Sequence, residues 1–341
     1  MRKILIVSFF CLLVCGFMGH AQKLDKGLVF AVGANFIPST AVNQLEMWQA
    51  ETFDPVTIDR ELGYAEKIGM NTIRVYLHHV AWQVDREGFK DRVNQYLKIA
   101  YRRGIKTMFV FADDCWRDRY KSGKQPEPIP SVHNSQWLKD PGGLIDEEPL
   151  LMDTLEMYVK DMMQTFGKDK RILMWDLYNE PGHFGRGEKS YALLQNLVRW
   201  AREAKASQPI TIGLWNPEFT AFNRFQLENS DVITFHNYRD TVSLKQALDT
   251  LVGRGKPVMC TEYMKRPNES TFEKCLPIFK RYGVGAISWG LVAGKTQTNY
   301  PQGNKGGEPE PIVWYHDIFR KDGSAFDPKE LDAIKAFIKS K

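Results

Sequence analysis

The segment Lys67-Ile68-Gly69-Met70-Asn71-Thr72-Ile73-Arg74-Val75-Tyr76-Leu77 joins a helix end to a strand through one glycine. Glycine supplies the left-handed stop that ends a helix, and the apolar run behind it suits one buried strand. The same join recurs in Arg102-Arg103-Gly104-Ile105 and in Arg281-Tyr282-Gly283-Val284. Outward from these joins, short apolar runs alternate with longer amphipathic stretches, at a spacing of about 30 to 40 residues, which is the pattern of repeated βα units. Strands are predicted at Leu28–Asn35, Asn71–Leu77, Ile105–Phe111, Arg171–Tyr178, Ile210–Leu214, Asp231–Phe235, Pro257–Thr261 and Gly285–Trp289. Helices are predicted at Asp54–Ile68, Arg92–Arg103, Leu150–Phe166, Tyr191–Ala206, Pro217–Leu227, Ser243–Leu251, Ser270–Tyr282 and Pro328–Ile338. The pattern predicts an α/β chain folded as a single (β/α)₈ TIM barrel, with no Ser/Pro/Gly linker to divide it. Two long irregular segments, Asp113–Glu147 and Leu291–Tyr315, each follow a strand. Loops after strands build the catalytic face of such a barrel, so the cleft there should be walled.

The first 21 residues read as an export signal, with Arg2 and Lys3 before the apolar run Ile4 to Met18 and small residues at Gly19-His20-Ala21. A mature chain from Gln22 to Lys341, periplasmic or extracellular, is expected. The apolar run is shorter than the roughly 20 residues of a bilayer span, so no membrane span is expected. The formal charge of +5 is mild and its lysines and acids are interspersed, which argues against a nucleic-acid partner. Cys11 and Cys15 would leave with the signal, and Cys115, Cys260 and Cys275 allow at most one disulfide.

Two glutamates stand at strand ends. Trp175-Asp176-Leu177-Tyr178-Asn179-Glu180-Pro181 closes the fourth strand and Met259-Cys260-Thr261-Glu262-Tyr263 the seventh. Carboxylates are costly to bury, and at the carboxyl ends of barrel strands both would face one pocket. Two facing carboxylates are what hydrolysis of a glycosidic bond by double displacement requires, one to protonate the leaving oxygen and one to attack the anomeric carbon. Taken singly, each could instead cap a strand or pair with a lysine.

Asn179-Glu180-Pro181, Glu262 and Trp289, with Arg74 on the second strand and His236-Asn237-Tyr238 on the sixth, resemble clan A glycoside hydrolases, most closely family 5. Asn35-Phe36-Ile37-Pro38-Ser39 and Leu45-Glu46-Met47-Trp48-Gln49 are similar to bacterial proteins labelled cellulase-like or 1,4-β-xylanase-like. The resemblance implies a retaining glycosidase acting on an oligo- or polysaccharide, with Glu180 as acid/base, Glu262 as nucleophile and no cofactor or metal. It assigns Asn179 to the sugar 2-hydroxyl, Arg74 and Tyr238 to Glu262, His236 to Glu180 or a sugar hydroxyl, and Trp289 to the floor of the −1 subsite. Asn35, Trp48 and Trp116 are further candidates for contact with sugar.

An acid should hold its proton near neutral pH, so burial and a second carboxylate are expected to raise the Glu180 pKa. Where many family 5 members carry a histidine after the third strand, this chain reads Phe111-Ala112-Asp113-Asp114-Cys115-Trp116. Asp113 there could accept hydrogen bonds from two sugar hydroxyls, the arrangement of an exo-acting enzyme, and His78-His79 could add to the same pocket. A metal cluster of His78, His79, His133 and Asp113 lacks any His-x-x-x-His or Cys-x-x-Cys spacing. Arg74, His236 and Trp289 each have an alternative as core residues. A transglycosylase would use the same residues, and a non-catalytic carbohydrate-binding barrel would usually lack one carboxylate.

Overall fold

The computed structural model describes residues 31–339; the expected export signal and residues 28–30 of the first expected strand lie outside them. Eight parallel strands form the barrel: β1 (Val32–Asn35), β2 (Thr72–Tyr76), β3 (Lys106–Asp113), β4 (Ile172–Asn179), β5 (Ile210–Thr211), β6 (Ile233–His236), β7 (Val258–Tyr263) and β8 (Gly285–Ser288). Their order in the sheet, β5-β4-β3-β2-β1-β8-β7-β6, is that of a ring opened between β5 and β6. That seam is closed by a parallel bridge of Leu214 with Phe235 and by Leu214 N donating to Thr234 O at 2.8 Å. Every expected strand is present, because strands buried on both faces read as continuous apolar runs.

The helices are α1 (Gln44–Trp48), α2 (Pro55–Lys67), α3 (His79–Val84), α4 (Arg86–Arg102), α5 (Leu151–Phe166), α6 (Tyr191–Ala204), α7 (Thr220–Asn229), α8 (Thr241–Leu251), α9 (Phe272–Tyr282) and α10 (Pro328–Lys339). Gly69, Gly104 and Gly283 have φ of +85°, +72° and +66°, the left-handed stops that the joins require. The helix between β5 and β6 starts later than Pro217, since the chain first leaves the barrel through Trp215 and Asn216. No helix among the described residues is long and apolar enough to cross a membrane. Cys115, Cys260 and Cys275 are all free thiols.

Side chains alternate across each strand. Phe109 and Phe111 point outward with Trp175 and stack on its ring, while Tyr96 of the helical shell meets Phe109 at a tilt and Tyr158 meets Phe111 edge-on. Met108, Met174, Met259 and Ile287 point inward and form a separate apolar cluster with Ala31, Leu173 and Val232. That cluster plugs the barrel interior, so the open volume lies above it at the carboxyl ends of the strands.

Candidate active site

Glu180 follows the last residue of β4 in a left-handed conformation, φ +45°. Such a backbone is strained for a residue with a side chain and persists where the surrounding structure holds it. Here it turns the carboxylate back over the barrel mouth. Glu262 lies near the end of β7, where the registers with β6 and β8 both shift and His236 comes to pair with Glu262. Bulges of this kind re-aim side chains at barrel rims. One oxygen of each carboxylate and a ring nitrogen of His236 all lie within 4.8 Å of one another.

Both oxygens of Glu262 are held by donors. Arg74 Nη1 donates to Oε1 at 2.7 Å, the Tyr76 hydroxyl to Oε1 at 2.8 Å and the Tyr238 hydroxyl to Oε2 at 2.6 Å. Arg74 is fully buried and is fixed on every side. Its Nε and Nη2 donate to Asp176 Oδ2 at 3.0 and 2.8 Å, its Nη2 to Asn179 Oδ1 at 2.8 Å, and its Nη1 to Asn35 Oδ1 at 2.9 Å. Burial disfavours the guanidinium, yet Tyr76, Asp176 and Glu262 outweigh it and raise the pKa further. Burial also raises the pKa of the Tyr76 and Tyr238 phenols, so both remain donors. Arg74 and Tyr238 thus contact Glu262 as anticipated. Tyr76 is an addition whose signal was present, since it stands two residues beyond Arg74 and so on the same face of β2.

Glu180 has different partners. His236 Nδ1 donates to Oε1 at 2.7 Å and His183 Nδ1 to Oε2 at 2.6 Å, while the Cys115 thiol reaches Oε2 at 3.3 Å. Burial would raise the Glu180 pKa, but hydrogen bonds from His183 and then His236 outweigh it and lower the pKa. This corrects the expectation of a raised value, because two ring donors stabilise the ionised form more than burial penalises it. For His236, burial opposes the charged form, and Glu262 with Glu180 overcomes it and raises the pKa. The lowered carboxyl and the raised imidazole both favour the proton on the ring side between Glu180 and His236. His183 was not anticipated; it sits on a loop turned by Gly182 at φ +87°, which has no periodicity to read.

A cavity of about 1110 Å³ opens over both carboxylates. Its wall includes Asn179, Trp289, Trp116, Trp137 and Trp215 as well as His133, Asn134, Gln302 and Gly303 of the two long loops. Asn179 sits between Arg74 and Asp113, donating from Nδ2 to Asp113 Oδ1 at 2.9 Å. Three other candidates are placed otherwise. Trp48 is fully buried on α1 against Phe53, Phe89, Tyr96 and Phe109, with its Nε1 donating to Tyr76 O; it is a core residue. Asn35 donates to Thr261 O and Ser288 O and orients Arg74 from below. Asp113 accepts from Cys115 N and Asn179 on one oxygen and from Trp137 Nε1 on the other. With both oxygens occupied and the side chain outside the cavity wall, it braces the site rather than facing sugar. Burial first, against those hydrogen bonds, pushes its pKa up to about 7.

Among the described residues, three groups of side chains converge closely enough to hold a metal ion: His78, His79 and Asp140; Cys115, Glu180 and His183; and Glu180, His236 and Glu262. The first is away from the cavity wall. Both His78 nitrogens are engaged, by Lys139 O and Val80 N, and His79 Nδ1 is engaged by Asp140. Burial lowers the His78 pKa to about 4. His133 instead bonds Tyr300 O, so the anticipated histidines do not gather with Asp113.

Residues 36–294 match the family model described as cellulase, glycosyl hydrolase family 5. A search of curated proteins finds no significant match. Among solved structures the chain resembles GH5_18 from Streptomyces cattleya in complex with GlcNAc, at TM-score 0.61 and 12% identity over 91% of this chain and 80% of that one. It also resembles the endo-β-1,4-mannanase from Thermotoga petrophila, at TM-score 0.58 and 14% identity over 92% and 77%. A third is the exo-β-1,4-mannosidase from an Opitutaceae bacterium, at TM-score 0.59 and 16% identity over 91% and 59%. At these identities the structural likeness concerns the fold, whereas the family model spans most of the chain. The chain belongs to the cellulase family, glycosyl hydrolase family 5, and is an O-glycosyl hydrolase.

Proposed function

We propose that the protein removes single sugars from the end of a β-linked glycan with retention of configuration, Glu262 acting as nucleophile and Glu180 as acid/base. The observation that carries this reading is the closeness of the two carboxylates, within 4.8 Å at their nearest marked atoms, together with their unlike partners. Retaining enzymes hold the pair roughly 5 to 5.5 Å apart, whereas inverting ones leave about 6.5 to 9.5 Å for a water. In the first step Glu262 Oε2 bonds to the anomeric carbon while the glycosidic bond breaks and its oxygen takes a proton from Glu180. For this the glycosidic oxygen replaces His183 at Glu180 Oε2, and the proton held on the imidazole side passes to the carboxyl before it is given to the leaving oxygen. In the second step Glu180 takes a proton from water, whose oxygen displaces Glu262 from the sugar.

End-on action is supported by the two long loops. They leave β3 and β8, and they are bonded to each other: Asn134 N to Thr296 O at 2.8 Å, Ser131 N to Gln297 Oε1 at 2.7 Å and Gly307 N to Pro130 O at 3.0 Å. In the ring they bridge over β1 and β2. The rest of the cavity runs to Trp215, Asn216 and α8 beyond β5 and β6, the side on which Glu180 stands. One sugar would lie under the bridge and the leaving chain would exit past Trp215. A β-mannosidic bond is the first to test, since solved proteins of like fold are an exo-β-1,4-mannosidase and an endo-β-1,4-mannanase.

The test separates the glutamates by leaving group. Glu180→Ala should keep glycosylation of a dinitrophenyl glycoside but lose it on a natural glycan, because a stable phenolate needs no proton. Added azide should then speed turnover and yield a β-glycosyl azide. Glu262→Ala should be inactive on both substrates, and a mechanism-based fluorosugar should label the wild type at Glu262. A label on another residue, or near-wild-type rates for Glu262→Ala, would overturn the assignment.

A further inference from the structure

Cys115 has no part in the reaction described above, yet its thiol sits in the cavity wall against the acid/base. Sγ lies 3.3 Å from Glu180 Oε2 and 3.5 Å from His183 Nδ1, and the latter two atoms are 2.6 Å apart. A triangle with those edges has a circumradius of about 1.8 Å, shorter than the roughly 2.0 to 2.3 Å of Zn–O, Zn–N and Zn–S bonds. A point at bonding distance from all three atoms therefore exists about 1 Å off their plane, without moving any of them. All three residues line the cavity, so a water could complete a fourth coordination position from the cleft side.

We propose that Cys115 Sγ, His183 Nδ1 and Glu180 Oε2 form a binding site for a thiophilic divalent cation such as Zn²⁺, whose occupation switches hydrolysis off. Binding itself stands on the three donors; the loss of activity rests on the acid/base role proposed for Glu180. The ion binds the Cys115 thiolate, so the thiol proton passes to solvent. It binds His183 through the Nδ1 lone pair, so the proton that now bridges to Glu180 leaves that atom, and the neutral ring carries its hydrogen on Nε2. Glu180, coordinated through Oε2, can no longer give a proton to a leaving oxygen. Sulfur, imidazole and one carboxylate favour zinc-like ions over Mg²⁺ or Ca²⁺, which seek oxygen ligands.

The other two groups of candidate ligands are poorer. In the group of Glu180, His236 and Glu262, both Glu262 oxygens already accept from Arg74, Tyr76 and Tyr238, and the guanidinium repels a cation. In the group of His78, His79 and Asp140, the ring nitrogens named above are spent on internal hydrogen bonds. At Cys115 the backbone is held in place, with its N–H donating to Asp113 Oδ1 at 2.9 Å. The left-handed Glu180 fixes the second ligand from β4.

Titration calorimetry of the whole protein with Zn²⁺ tests the site without any substrate. One ion per chain should bind. Cys115→Ala and His183→Ala should each weaken it by at least the roughly 10- to 100-fold that losing an outer partner of a metal ligand costs. Glu262→Gln should leave the affinity unchanged. Saturating Zn²⁺ should also abolish wild-type hydrolysis of a natural glycan, whose leaving alkoxide needs the proton of Glu180; a chelator should restore it, and Mg²⁺ should have no effect. Absence of binding, or equal affinity in wild type and both ligand variants, would refute the site. Activity persisting at calorimetric saturation would refute the switch and leave the binding site standing, while the role of Glu180 is judged separately by Glu180→Ala and its rescue by azide.

Discussion

Replacing Arg74 separates a residue that serves the reaction from one that merely pairs charges in the barrel. Its guanidinium is fully buried and faces two carboxylates, Asp176 and Glu262, so Arg74→Met removes the guanidinium that both share. Breaking a buried pair by removing one partner costs about 3 to 5 kcal/mol. With an unfolding entropy of about 2.1 cal/mol/K per residue, the 31–339 barrel should have about 0.65 kcal/mol/K, so Tm should fall by roughly 5 to 8 °C. Arg74→Lys is the decisive variant. It keeps the charge but has no planar fork, and one ammonium cannot hold Asp176, Asn179, Asn35 and Glu262 at once. Its Tm should fall less than that of Arg74→Met, while Glu262 loses its anchor. Because a nucleophile sheds negative charge as it bonds, the arginine acts by placing Glu262, and misplacement on the order of 1 Å costs about 100-fold. Calorimetry and kcat/KM on an aryl glycoside, measured on the same folded sample, give both numbers. If Arg74→Lys kept kcat/KM within about threefold of wild type, Arg74 would be a core ion pair and the proposed role would fall.

His236 has its pKa raised chiefly by Glu262 and Glu180 against burial, so its stabilising contribution is complete below the unfolded imidazole value near 6.5 and is lost as pH rises through the folded value. The stability deficit of His236→Asn, measured by denaturant unfolding, should therefore be larger at about pH 5.5 than at about pH 9; equal deficits would show that no charged imidazole is involved. Gln297→Ala removes bonds of 2.7 Å to both Ser131 N and Ile129 O. It should loosen the bridge between the long loops, so that chromatography shows short oligosaccharides beside the single sugar. The reading of residues 1–21 as an export signal predicts that protein recovered from an exporting host begins at Gln22, which N-terminal sequencing checks.

The barrel was legible because its strands are buried on both faces and its helices end on glycines whose left-handed geometry other residues resist. Asn179, Glu180, His236, Glu262 and Trp289 were legible because each stands at or beside the end of a strand, a position that topology alone directs into the cleft. What escaped the sequence depended on the meeting of distant loops. The lowered Glu180 pKa comes from His236 on β6 and His183 on the turn after β4 together, and neither partner is visible from the other's sequence context. Trp48 was misread because a tryptophan on a short helix looks the same in sequence whether its ring faces solvent or the core. Asp113 was misread for a related reason: the Trp137 indole that occupies its second oxygen arrives from the far end of a long loop.

The two glutamates differ less in their burial than in the kind of group that holds them. Around Glu262 the donors are a guanidinium and two phenols whose pKa values are all raised. None of these exchanges protons near neutral pH, so Glu262 is aimed by donors that keep their protons, as suits a nucleophile. Around Glu180 the donors are imidazoles, and the His183 side chain retains 35% exposure against 11% for Glu180 itself. An imidazole, unlike a guanidinium or a phenol, has two ring nitrogens that can serve as donor or acceptor, and the partly exposed His183 links the buried carboxylate to solvent. An acid/base needs that, because it gives up a proton in the first step and recovers one in the second. Exchanging the roles would ask Glu262 to carry a proton against three donors and Glu180 to attack carbon while both its oxygens are tied to imidazole rings. The partners, more than the distance between the carboxylates, are what set the proposed direction of the chemistry.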